Sequence, residues 1–68
     1  MSATGQFLIY CIEMYRREKC LTGRQTYDLF VQTGADGFVQ RCYGALHTTG
    51  VSYILSEIDA YIENHRAA

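Results

Sequence analysis

The chain has 68 residues, 49% of them hydrophobic and 13% aromatic, with six Lys and Arg against seven Asp and Glu and a formal net charge of −1. That length holds a single domain, and so even a charge balance supplies no field for a phosphate backbone. The longest unbroken apolar run, Phe7 to Ile12, falls far short of the roughly 20 residues that cross a bilayer.

A domain this small buries only about 60% of the surface its unfolded chain exposes. Part of the apolar content is therefore expected to lie against a second protein, either another copy or a different chain. Cys11, Cys20 and Cys42 form no CxxC pair, and Met1 to Gly5 carries no export pattern. Reduced thiols and a cytoplasmic location are the expectation.

Residues 1–5 are small and polar and are expected to form a disordered tail, with Ser2 or Thr4 available to cap the first helix. A single helical domain is expected over 6–64. The first helix, Gln6 to Lys19, carries Phe7, Tyr10, Cys11 and Met14 on one stripe and Leu8, Ile12 and Tyr15 on another. Two apolar faces predict a helix at the centre of the domain, or one face given to a partner. Its last turn, Arg16-Arg17-Glu18-Lys19, is mostly basic, as the negative end of the helix dipole favours.

Thr22-Gly23-Arg24-Gln25 has the form of a capping box, which opens a second helix running to about Gln32. Thr26, Leu29, Phe30 and Thr33 share its inner side. Gly34 stops it, and Asp36 is the expected cap of a third helix from about Gly37 to Leu46. That helix pairs Phe38, Cys42 and Ala45 with Val39, Tyr43 and Leu46. Gly44 inside it costs about 1 kcal/mol relative to Ala and points either to a close helix contact or to solvent. Leu46-His47-Thr48-Thr49-Gly50 reads as a tight corner. The fourth helix, about Val51 to Asn64, places Val51, Ile54, Leu55, Ile58, Tyr61 and Ile62 inward and Ser56, Glu57, Asp59, Ala60 and Glu63 outward. Residues 65–68 are expected to be a tail. The fold class is thus all-α, a compact bundle of four short helices with helix one central.

No catalytic, cofactor-binding or metal-binding set emerges. His47 lies five positions after Cys42, turned away from it on a helix, and reads as a histidine satisfying carbonyls at a helix end. Two histidines and three cysteines without ligand spacing make no zinc site. Thr48 and Thr49 could perch an anion at the next helix start, but their simpler role is capping. Glu57, Asp59 and Glu63 form an acidic face, either merely solvated or a dock for a basic protein.

Six tyrosines are more than this core needs, and tyrosine is enriched at interfaces. Tyr27 and Tyr53 fall off the main apolar stripes and are the leading interface candidates, with Glu57, His47 and Thr48 beside them. The rival reading is a helix-turn-helix regulator built on the second and third helices. Its recognition helix would offer only Gln40 and Arg41 to bases, so nucleic acid is the weaker expectation.

Phe7 to Tyr15, Leu21-Thr22-Gly23, Tyr27-Asp28-Leu29-Phe30, Leu46-His47-Thr48-Thr49-Gly50 and Ile58 to Ile62, in this order and spacing, resemble a family of small bacterial proteins catalogued as domain of unknown function 3791. The resemblance covers nearly the whole chain and brings no catalytic residues. Members are similar in size to antitoxins and are often encoded beside a longer protein resembling ADP-ribosyltransferases. It implies a non-enzymatic, partner-binding or neutralising role for the chain.

Overall fold

A computed structural model describes residues 2–66, which form five helices and, among the described residues, no strand. They are α1 (Ala3–Lys19), α2 (Gly23–Thr33), α3 (Ala35–Arg41), α4 (Tyr43–Leu46) and α5 (Val51–His65). The fold is the expected all-α bundle. Helix α1 packs against α2, α3 and α5, which makes it the common wall of the core. The 11.0 Å radius of gyration matches the roughly 11 Å of a closed domain of this length.

Helix α1 starts three residues before the expected boundary. The Ser2 hydroxyl accepts the Gly5 N–H at 3.1 Å, so Ala3 to Gly5 form a capped first turn and not a tail. At the other end Cys20 adopts a left-handed conformation with φ 58°, and the Leu21 N–H returns to the Arg16 carbonyl at 2.9 Å. The capping box opens α2 as its sequence implies. The Gln25 N–H donates to Thr22 Oγ1 at 3.0 Å, and the Thr22 N–H donates to Gln25 Oε1 at 2.9 Å.

Gly34, with φ 84°, both closes α2 and precedes α3. A Cβ on it would lie 3.3 Å from the Tyr61 hydroxyl. Asp36 is not a cap, because α3 begins at Ala35 and Asp36 falls within its first turn. The expected third helix is split at Cys42, whose φ −97°, ψ 14° interrupts the α-helical run before the single turn of α4. A Cβ on Gly44 would meet nothing within 4 Å, so this glycine faces solvent and does not serve a close helix contact. His65 lies inside the last turn of α5, beyond the expected end at Asn64, while Ala67 and Ala68 lie outside the described residues.

The core is one cluster. Phe7, Cys11 and Tyr15 of α1 meet Phe30 of α2, Ala35 and Val39 of α3, Leu46 of α4, and Ile54, Ile58 and Ile62 of α5. Tyr15 and Phe30 meet edge-on at 5.6 Å, and Phe38 stacks on Tyr61 at 4.4 Å. The buried threonines of α2 are satisfied within their own helix. Thr26 donates to the Thr22 carbonyl at 3.0 Å and Thr33 to the Leu29 carbonyl at 2.8 Å.

The two left-handed positions, Cys20 and Gly34, give a paired prediction. An L-residue in that region costs about 1–2 kcal/mol, partly offset by the larger entropy a glycine loses on folding, about 0.5–1 kcal/mol. Cys20→Gly should therefore stabilise the protein by about 0.5–1 kcal/mol. Gly34→Ala should destabilise it by about 1–2 kcal/mol, and the Tyr61 contact adds to the loss. Urea unfolding of the two variants against the parent reads both signs. Equal midpoints would contradict the assignment.

Candidate interaction surface

Ile54, Ile58 and Ile62 recur every four residues and point α5 into the core, which turns the intervening positions outward. Val51 and Tyr53 in its first turn are 46% and 53% exposed, although the sequence pattern places Val51 inward. At the start of the helix, before a full turn has wound, Val51 has no neighbouring element over it. The Glu57 carboxylate, one turn beyond Tyr53, holds the phenol's pKa above its usual value. The helix follows Gly50, which has no side chain to cap it.

Neither threonine of the corner caps α5. The Thr49 hydroxyl turns back and donates to the Leu46 carbonyl at 2.7 Å, closing α4, while Thr48 is exposed. The His47 ring stacks on Tyr43 at 4.2 Å. Its Nδ1 lies 2.6 Å from the Tyr43 carbonyl, which can only accept, so Nδ1 carries the hydrogen. His65 repeats the arrangement on Tyr61, with the rings 3.9 Å apart and Nδ1 2.8 Å from the Tyr61 carbonyl. Each histidine thus finishes a helix in a Tyr-x-x-x-His unit. Among the described residues no group of three or more potential metal ligands converges.

Asp59 departs from the expected outward face. It accepts the Tyr15 hydroxyl at 3.0 Å and pairs with Lys19 Nζ at 3.2 Å. Burial above all, and then the Asp59 carboxylate, push the Tyr15 pKa up to about 12. This contact floors a groove of about 360 Å³ between the last turns of α1 and the first half of α5. Glu18, Ser52 and Ser56 form the rest of its polar lining. The groove holds no histidine or cysteine, and its one buried phenol is held protonated. It offers hydrogen-bond acceptors and negative charge to a basic side chain.

Of the five sequence candidates, the structure sets Tyr53 one turn from Glu57 on α5 and leaves His47 and Thr48 in the corner preceding them. Tyr27 stands apart on α2, 53% exposed. Ile9, Tyr10 and Val31 are also largely exposed, and the sequence pattern does not single them out. It places Tyr10 inward. The Tyr27-x-x-x-Val31 spacing, one turn on the flank of α2, is the signal available for Val31.

A family model described as "Protein of unknown function (DUF3791)" matches residues 6–65. No curated protein and no solved structure matches the chain.

Proposed function

The chain belongs to the DUF3791 family, and from that membership and the exposed first half of α5 we propose that it is a non-enzymatic protein-interaction module receiving a basic partner. Tyr53 carries the reading. It is more than half exposed on a helix whose inward isoleucines are sealed, and the Glu57 carboxylate lies one turn beyond it. An exposed aromatic with an apolar body and a polar tip is the kind of anchor that protein interfaces use. Glu57 beside it gives the partner its sign.

In this reading the protein is cytoplasmic and is the small neutralising member of a pair. Its partner is a longer, ADP-ribosyltransferase-like product of a neighbouring gene. His47 supports the same view, because its stacked and hydrogen-bonded ring serves the end of α4. The rival, a DNA-binding regulator, has less behind it. Helices α2 and α3 are joined by Gly34 alone, shorter than the 3–4-residue turn of a helix-turn-helix, and α3 keeps Ala35 and Val39 inside.

Capture from the native host with the tagged protein as bait tests the proposal. One stoichiometric protein partner is expected, reduced at least tenfold with Tyr53→Ala, since an interface anchor is worth about 2 kcal/mol or more. Recovery of nucleic acid that dissociates with salt would replace this reading with the regulator.

A further inference from the structure

A second set of exposed apolar side chains lies on α1 and α2, and it calls for a different partner. Ile9 and Tyr10 of α1 and Tyr27 and Val31 of α2 are four of the six large hydrophobic side chains left exposed among the described residues. The three-residue connection Cys20 to Thr22 turns the chain back on itself, so α1 and α2 run side by side. Arg16 Cδ comes within 3.9 Å of where a Cβ on Gly23 would sit. Arg16 shares its stripe with Glu13 and Ile9, and Gly23 shares its own with Tyr27 and Val31. The two stripes therefore continue alongside each other from that contact. The spacing puts Ile9 on the side of α1 that meets α2, level with the Tyr27–Val31 stripe, while Tyr10 is turned about 100° further round, toward Phe7.

We propose that this α1–α2 face is the two-fold interface of a homodimer. Three features select a second copy as the occupant. The first is area. With about half of each of Ile9, Tyr27 and Val31 uncovered, the face offers on the order of 300 Å² of apolar surface, at ~200 Å² per large side chain. That is the larger part of the apolar share of the roughly 800 Å² per partner in a standard interface.

The second is charge. The face is bordered by opposite-sign pairs already formed, Glu13–Arg16 at 3.0 Å on α1 and Arg24–Asp28 at 3.3 Å on α2. A two-fold axis sets each surface against itself. Here it brings both signs to each rim, whereas pairing through α5 would set Glu57 and its acidic neighbours against their own copies. The third is size, because a 68-residue chain gains from association the apolar burial its own core lacks. This inference goes beyond the α5 reading, uses different residues and fails separately from it.

Sedimentation equilibrium on the full chain decides the matter, with Val31→Glu, Ile9→Glu and Tyr53→Glu alongside. The parent is expected at twice its 7.7 kDa mass at micromolar concentration. Val31→Glu and Ile9→Glu are expected at the single-chain mass with unchanged far-ultraviolet circular dichroism, and Tyr53→Glu should remain dimeric. A parent that sediments as a single chain up to roughly 100 μM, weaker than dimers of this interface class require, would overturn the proposal. So would a dimer that survives both α1–α2 substitutions, or one that only Tyr53→Glu breaks. Partner capture through Tyr53 with a monomeric parent would leave the proposed function standing and remove the homodimer alone.

Discussion

Phe30→Ala is expected to cost about 3–5 kcal/mol, a large part of the roughly 3–10 kcal/mol that a domain of this length holds in total. Phe30 is fully buried where α1 and α2 meet, its ring edge-on to Tyr15 at 5.6 Å. Removing the ring opens a cavity at the centre of the cluster and strips Tyr15 of the wall that orients its hydroxyl toward Asp59. At about 4–8 °C per kcal/mol for domains of this size, the melting temperature should fall by more than about 12 °C. Phe30→Leu keeps most of the volume and should lose less than half as much. A circular-dichroism melt within a few degrees of the parent for Phe30→Ala would show that the core is not organised around this ring.

Alkali is the second large lever. Burial pushes the Cys11 thiol from 9.0 up to about 12, and burial with Asp59 pushes Tyr15 from 10.0 up to about 12. Both folded values lie above the unfolded ones, so the unfolded chain releases these protons first. The stabilisation is whole below about pH 9, declines as Cys11 titrates in the unfolded chain, declines faster above about pH 10 when Tyr15 joins, and is spent by about pH 12. Each group contributes a slope of roughly 1.4 kcal/mol per pH unit in its window, so the pair can cancel most of the stability. Urea midpoints measured from pH 7 to 12 should fall steeply above pH 10. Cys11→Ala should remove the earlier part of the decline. Tyr15→Phe should remove the later part while costing about 1 kcal/mol at neutral pH for the lost hydrogen bond. A flat profile through pH 11 would contradict both assignments.

Elements that announce themselves through local chemistry are legible in the sequence. The Thr22–Gln25 capping box, the stop at Gly34 and the four-residue recurrence of isoleucines in α5 each depend on residues a turn apart, and the structure keeps all three. The exceptions depend on contacts between distant residues. Asp59 looks like part of a solvated acidic face because nothing nearby in sequence reveals that Tyr15 and Lys19, more than thirty residues upstream, converge on it. The break at Cys42 is hidden because Phe38, Cys42 and Ala45 keep helical spacing straight through it. Thr48 and Thr49 have the composition of a cap, but a hydroxyl can serve the helix behind as well as the one ahead, and Thr49 serves the one behind.

The surface is legible only in part, for a related reason. Tyr27 and Tyr53 stand out because they leave the apolar stripes of their own helices. Ile9 and Tyr10 do not, because a helix with two apolar stripes leaves open which residues its neighbours will cover. Helices α2, α3 and α5 cover the Phe7–Cys11–Tyr15 line, Leu8 and Ile12 are packed at its edge, and the outer flank with Ile9 and Tyr10 is left bare. Which of two apolar flanks remains open is a property of the assembled bundle.

The measurement that tests the interaction module most directly is a calorimetric titration of the captured partner into the parent and into Glu57→Arg, at low and physiological salt. A basic partner seated on Tyr53 and Glu57 should bind the parent more tightly at low salt. The charge-reversed variant should bind at least tenfold more weakly, about 1.4 kcal/mol, with the salt dependence reduced or inverted. Equal affinity for parent and variant, unchanged by salt, would place the binding site elsewhere and contradict the assignment of α5.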